Sequence, residues 1–371
     1  MNPAIYAVVA VCLVVIGLIV GTSCSSAGKI PASGSLHDYA LATTVDDATA
    51  KYYLENYLAG RVQDADLHRR LEKMDGELGN AVPTREQLKA ISREFSVDTA
   101  ALVFGDQLLK QPANAPFQKQ FLANLEKVRG GLIEYPGKDV LILLVPGFDY
   151  VKNGRKTGAD FARPKQLLEQ AGYEVQLVAI DPLGGVEENA AFLARSIASH
   201  PQRRIALAGA SSAGPAIHLA LGKLIEPGDS KNVKAWLNLG GILQGVPVLD
   251  QFSSGPKGWL FSTVVHLKGW KPASFASMRT QVSRSRFATL SVPSHIVVCN
   301  YVGLSLSGDI SRFARDKYSM MRADGPNDGL TLLPDILPPN SLSILAPRSD
   351  HFFAEDREIA RGFSRRFVPR R

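Results

Sequence analysis

Cysteine is scarce in this chain, three in 371 residues, and their placement leaves no disulfide framework to build. Cys12 sits inside an apolar run, Cys24 just beyond it, and Cys299 in a β-like stretch where it reads as a small buried hydrophobe. There is no CxxC, no P-loop and no GxGxxG after a strand, so neither a cofactor nor a metal site is expected. Basic residues do not interleave with aromatics, which argues against a nucleic-acid partner. They crowd only at the C-terminus, in Arg361, Arg365, Arg366, Arg370 and Arg371, a pattern of a solvated helix face or a contact with anionic lipid or a partner. Hydrophobic residues at 45% and charged residues at 21% are ordinary for a globular protein. A chain of this length can bury one large core, with or without a small accessory domain.

Charge is also missing from Ala4 to Val20, and Ala7–Val20 is almost wholly apolar. That run is short for a membrane span, which needs about 20 residues, and fits the core of a signal peptide. Gly21-Thr22-Ser23-Cys24-Ser25-Ser26 follows, then a polar linker rich in Gly, Ser and Pro. The segment resembles a bacterial lipoprotein signal, in which Cys24 is lipidated and becomes the mature N-terminus. An uncleaved signal anchor and simple secretion are the alternatives. Each places residues 1–35 outside the folded domain, and the first two put the protein at a membrane, on the extracytoplasmic side of a bacterial envelope.

Residues 37–135 read as a helical N-terminal region. Leu67, Leu71, Met74 and Leu78 keep a 3.6-residue period, as do Leu88, Ile91 and Phe95, then Phe117, Phe121, Leu125 and Val128. Thr84 and Gln87 form a capping-box pattern after Pro83. No chemical constellation appears there, so packing or partner binding is the expected role. From Asp139 onward, apolar runs alternate with helical segments: Val140–Val145, Val175–Ile180, Ile205–Ala208, Ala235–Leu239, Ile296–Val298 and Leu342–Leu345. Such a succession predicts an α/β domain over 139–371, with a mostly parallel sheet flanked by helices.

The strongest chemical signal is Gly209-Ala210-Ser211-Ser212-Ala213-Gly214-Pro215. A strand ends, a turn of small residues follows, and a helix begins at once, with Pro215 suited to its first turn. A serine on such an elbow is held in a strained backbone, and its neighbours two before and two after must be small. Gly209 and Ala213 meet that need around Ser211, and a frame centred on Ser212, between Ala210 and Gly214, is the rival. Here the chain resembles the α/β-hydrolase family, whose motif is Gly-x-Ser-x-Gly, with Ala213 in place of the last Gly. The resemblance covers residues 139–367. It implies an oxyanion hole from backbone amides, that of Ser212 and one after the first strand in Pro146-Gly147-Phe148, most simply Phe148.

The family order Ser, acid, His then assigns the remaining groups. His351, after the last apolar run, stands where the family keeps its base, ahead of a final helix with Ile359, Phe363 and Phe367 on one face; His295 precedes a strand. Asn327-Asp328-Gly329-Leu330 is similar to the acid loop of lipases, which makes Asp328 the acid, with Asp309, Asp324 and Asp335 as alternatives. Asp350, adjacent to His351, is poorly placed because consecutive side chains diverge. Residues 245–292 are long for a crossover and hold Trp259, Phe261, Trp270 and Phe275; in relatives such an insertion is a cap, here a helix pair over an acyl pocket. The resemblance implies hydrolysis of a carboxylic ester, small or lipidic, through an acyl-enzyme. The same triad serves thioester hydrolysis and acyl transfer, and a catalytically silent fold that binds a partner is the reading from another class.

Overall fold

The structure is a computed structural model that describes residues 29–130, 139–252 and 255–353. The apolar run with Cys24, the C-terminal arginines and the expected helix of Ile359, Phe363 and Phe367 lie outside the described residues. Among the described residues, no helix is long and apolar enough to cross a membrane.

The described residues open with a hairpin, β1 (Ile30–Leu36) and β2 (Tyr39–Val45), antiparallel with Ile30 opposite Val45 and Leu36 opposite Tyr39. Helices α1 (Ala48–Tyr52, continued by a π-turn to Tyr57), α2 (Ala65–Leu78), α3 (Arg85–Glu94), α4 (Val97–Lys110) and α5 (Asn114–Gly130) follow. Two expectations are corrected here. Residues 30–35 belong to the fold, and the region from 37 is not helical at its start: Tyr39–Val45 is a strand. The reason is burial, since Ala32, Leu36, Leu41 and Val45 all face the core. Each buried Leu or Val side chain of this set contributes about 1.5–3 kcal/mol. Start signals for the helices are as read: Thr84 caps α3 with both arms of the capping box closed onto Gln87.

The second part alternates strands and helices. It runs β3 (Val140–Val145), α6 (Tyr150–Thr157), α7 (Ala162–Gln170), β4 (Glu174–Leu177), α8 (Val186–Ala198), β5 (Arg204–Ala210) and α9 (Ala213–Leu219). After α10 (Pro227–Ser230) and β6 (Val233–Leu239), the described residues of the expected cap form four helices rather than a pair. These are α11 (Pro247–Gln251), α12 (Gly255–Leu267), α13 (Pro272–Ala276) and α14 (Thr280–Phe287). β7 (Val297–Leu304), α15 (Arg315–Met321) and β8 (Leu342–Pro347) complete the described chain. The sheet order is β4-β3-β5-β6-β7-β8, and every pair is parallel. Parallel strands need crossovers, and the apolar runs of β3, β5 and β6 are buried beneath α8, α9 and α14. Leu141, Leu143, Ile205, Trp236, Leu193 and Ile217 meet in that core. This is the α/β-hydrolase fold that the resemblance implies.

The hairpin and α4 share a second core with the sheet, in which Leu36, Leu102 and Phe104 pack with Val302, Leu304 and Leu345. The N-terminal region is therefore a layer laid over the β7–β8 end of the sheet. β8 is an edge strand, whose free backbone groups would otherwise be exposed to pairing. Asn114 Oδ1 accepts from the Ser343 amide at 2.9 Å and Gln118 Oε1 from the Leu345 amide at 3.0 Å. On α5 these two amides, one turn apart, are buried against the sheet, while Phe117, Phe121 and Leu125 stay half-buried, Phe121 meeting Tyr301 of the sheet edge-on at 6.2 Å.

Candidate active site

β5 lies between β3 and β6, and the chain turns at its carboxyl end into α9 with Ser211 at the apex. Chain order reverses between β3 and β5, which is where an open parallel sheet leaves a crevice for a ligand. Ser211 has φ 56°, in the left-handed region that L-residues with side chains seldom occupy. That strain persists only where the surroundings over-determine it. The Ser211 amide donates to the Leu239 carbonyl at 3.1 Å, and its carbonyl accepts from the Gly214 and Ile242 amides at 3.0 and 3.1 Å. A Cβ at Gly209 would come within 3.3 Å of the Ala213 Cβ and 2.2 Å of Ile217 Cδ1. A Cβ at Gly214 would lie 2.7 Å from the Gly241 Cα, a backbone atom, and 3.0 Å from Asn238 Oδ1. The methyl of Ala213 is thus accommodated, and the strict demand for glycine falls one residue later.

The Ser211 Oγ and His351 Nε2 are 2.9 Å apart, and His351 Nδ1 and Asp328 Oδ2 are 2.9 Å apart. A carboxylate only accepts, so Nδ1 carries the proton and Nε2 is left to accept from the serine hydroxyl. Asp328 is buried at 1% exposure and His351 at 6%, so solvent does not compete for the pair. The other Asp328 oxygen, Oδ1, accepts from the amides of Leu330 and Thr331, both at 2.8 Å. The His351 amide donates to the Asp328 carbonyl at 2.8 Å, which ties the two loops by backbone as well.

The other candidates are engaged elsewhere. Asp309 bonds Thr43 and Arg348, Asp324 bonds Lys89, and Asp335 takes Arg85 and Arg284. Asp350 accepts from the Ser311 and Phe352 amides at 2.8 and 3.0 Å and holds the histidine loop rather than the ring. His295 bonds the Ser230 carbonyl at 2.9 Å. Cys299 is half-buried on β7, and burial pushes its thiol up to about 12, so it does not compete as a thiolate nucleophile.

Phe148 follows β3, between Gly147, whose amide bonds the Ala159 carbonyl, and Asp149, whose amide bonds the Pro182 carbonyl at 2.8 Å. Its own amide and that of Ser212 take no acceptor among the described residues. Ser212, at φ −64° and ψ −14°, begins α9, where unpaired amides and the helix dipole favour negative charge. The Phe148 ring packs edge-on against Trp270 and Phe275 of the cap, with centroids 5.9 and 5.4 Å away. Phe261 and Phe252 extend the aromatic group from Phe275 across α12 to the end of α11. Trp259 and Leu267 of α12 remain 70% and 65% exposed.

A separate cavity of about 420 Å³ lies in the N-terminal layer, lined by Ser35, His37, Tyr57, His68, Asp75 and Asp106 among others, and shares no residue with the Ser211 site. Its charged groups largely satisfy one another, His37 and Lys110 both pairing with Asp106. What sequence reasoning missed is the pair Asp46 and Asp98. The available signal was an aspartate inside Val97–Leu109, a run of helix in which every residue is buried.

The chain resembles several solved structures. A metagenomic carboxyl esterase aligns with a TM-score of 0.49 and 19% identity, covering 59% of this chain and 66% of that one, a little under two thirds of its length. A Bacillus licheniformis lipase in its mature form gives 0.46 and 20% identity over 60% of this chain and 88% of its own. Lipase 1 from Pelosinus fermentans gives 0.39 and 13% over 58% and 92%. No family model matches the chain, and no curated protein matches it in sequence.

Proposed function

We propose that the protein is a serine hydrolase of carboxylic esters, with Ser211 as nucleophile, His351 as base and Asp328 as acid. The observation that carries this reading is the unbroken run from Asp328 through His351 to a strained Ser211, with both hydrogen bonds at 2.9 Å. In this mechanism Ser211 Oγ attacks the ester carbonyl while His351 Nε2 takes its proton. The charge that develops on the carbonyl oxygen is met by the amides of Phe148 and Ser212. Each such donor is worth about 3–4 kcal/mol of barrier. His351 returns the proton to the leaving alkoxide, and an acyl-enzyme remains. Water then attacks the acyl carbon with His351 again as base, releasing the acid and Ser211. The aromatic group of the cap, which packs on Phe148, supports an apolar acyl or alcohol portion beside the oxyanion site.

The test is turnover of p-nitrophenyl esters with rapid acid quench. Stoichiometric acyl adduct on the peptide containing Ser211, absent in Ser211→Ala, is the expected result. Turnover without any trapped acyl group on that peptide excludes the acyl-enzyme. We further propose that its N-terminus holds the protein at a bacterial envelope, through lipidated Cys24 or else an uncleaved signal anchor. Incorporation of labelled fatty acid that Cys24→Ala abolishes supports the lipid anchor, and unchanged labelling and processing in that variant remove it.

A further inference from the structure

The loops that carry Asp328 and His351 are tied within the sheet domain, Thr331 to the Gly245 carbonyl and Asp350 to the Ser311 amide, and in addition from the N-terminal layer. Those that carry Ser211 and Phe148 are held, among the described residues, from within the sheet domain alone. Ser211, Gly147 and Asp149 take their loop-fixing partners from Leu239, Ala159 and Pro182. The acid loop instead leans on α15. Asn327 donates to the Tyr318 carbonyl at 3.5 Å and to the Gly325 carbonyl at 3.2 Å, and a Cβ on Gly329 would stand 2.5 Å from that of Ala314.

α15 and the turns around the loop are in turn gripped at four points. The Tyr318 hydroxyl donates to Asp98 Oδ1 at 3.2 Å, and Arg322 Nη2 to Asp46 Oδ2 at 2.8 Å. Lys89 reaches Asp324 at 3.0 Å before the loop, and Arg85 reaches Asp335 at 3.1 Å after it. Asp98, fully buried, also accepts from the Ser307 amide and hydroxyl, each at 3.0 Å, and from the Asp46 amide at 2.8 Å. The base loop has its own tie: Thr43 of β2 donates to Asp309, whose other oxygen accepts from Arg348 Nε at 3.0 Å, three residues ahead of His351.

We infer that Asp46 and Asp98 are positioning residues that lock α15 from the N-terminal layer and so set Asp328 at its distance from His351. The inference rests on the proposed triad. A buried carboxylate with several donors is satisfied in one arrangement only, and removing a partner leaves the rest unpaired in a medium that does not forgive it. A loop hinged on such a cluster keeps its register to a fraction of an ångström, the tolerance that a catalytic hydrogen bond requires.

The experiment compares Asp98→Asn and Tyr318→Phe with Leu71→Ala, a core cavity in the same layer remote from α15, in the full chain. The readouts are kcat and KM on p-nitrophenyl acetate and the downfield proton resonance of the His351–Asp328 hydrogen bond, assigned by its loss in His351→Gln. Asp98→Asn is expected to lower kcat at least tenfold with KM within about twofold, and to shift or broaden that resonance; Tyr318→Phe does the same by a smaller factor. Leu71→Ala lowers Tm and leaves kcat and the resonance as in the wild type. Should Asp98→Asn not fold, Tyr318→Phe, which loses one oxygen only, carries the test. Folded variants with wild-type kcat and an unshifted resonance overturn the inference, as does an equal loss of kcat in Leu71→Ala. An inactive wild type that still shows the resonance, and its shift in the variants, refutes the proposed function and leaves the positioning intact.

Discussion

Replacing Asp328 by Asn tests the acid with one atom changed. In the wild type, Oδ1 accepts two backbone amides, from Leu330 and Thr331, both at 2.8 Å, and Oδ2 faces His351 Nδ1. The amide of Asn has a single acceptor oxygen, and those two N–H groups claim it. The NH2 is then forced toward Nδ1, which must become the acceptor. The ring proton moves to Nε2, where it points at Ser211 and blocks removal of the serine proton. The same tautomer error in the worked serine-protease case lowers turnover by about 10⁴-fold, equivalent to about 5.4 kcal/mol of barrier. Asp350→Asn, whose carboxylate accepts from the Ser311 and Phe352 amides, should change kcat less than about tenfold, since it costs one or two loop hydrogen bonds of about 1 kcal/mol each. The assay is steady-state hydrolysis of p-nitrophenyl esters, with circular dichroism confirming the fold. An Asp328→Asn enzyme that keeps more than a tenth of wild-type kcat, or an Asp350→Asn enzyme equally crippled, refutes the argument.

Two further outcomes follow from the geometry. Burial and the neighbouring Asp46 raise Asp98 to about 7, against about 3.9 in an unfolded chain. Between those values the folded state holds the extra proton, so this group's contribution to stability is full below about pH 4 and is lost as pH rises through 7. Urea unfolding of the wild type should therefore weaken from pH 4 to 7 relative to Asp98→Asn; parallel curves contradict the shift. Gly214→Ala should destabilise by about 1–3 kcal/mol, because the new methyl meets the Gly241 backbone at 2.7 Å, while Ala213→Gly stays near wild type. A Gly214→Ala Tm equal to that of the wild type would count against the packing described for the elbow.

Much of the sheet was legible because parallel strands buried on both faces read as unbroken apolar runs, as Val140–Val145 does. The elbow was legible for a different reason: strand and helix pass so closely at Ser211 that only small residues fit beside it. The hairpin was not. Its buried set, Ala32, Leu36, Leu41 and Val45, recurs every four residues within each strand, a spacing that a helix and a strand share, and the residues between are small or polar, Ser33-Gly34-Ser35 and Ala42-Thr43-Thr44. Asn114 and Gln118 gave no hydrophobic signal, because their task is to satisfy an edge strand. The ties of Asp98 to Ser307 and of Asp46 to Arg322 join residues 209 and 276 positions apart, and no local pattern encodes such a pairing.

The central claim is that Ser211 is an activated nucleophile, and fluorophosphonate labelling followed by peptide mapping tests it most directly. The account predicts one label per chain, on Ser211, lost in Ser211→Ala and His351→Gln and kept in Ser212→Ala, whose amide and not its hydroxyl is used. Label on Ser212, or a folded wild type that takes no label, contradicts it.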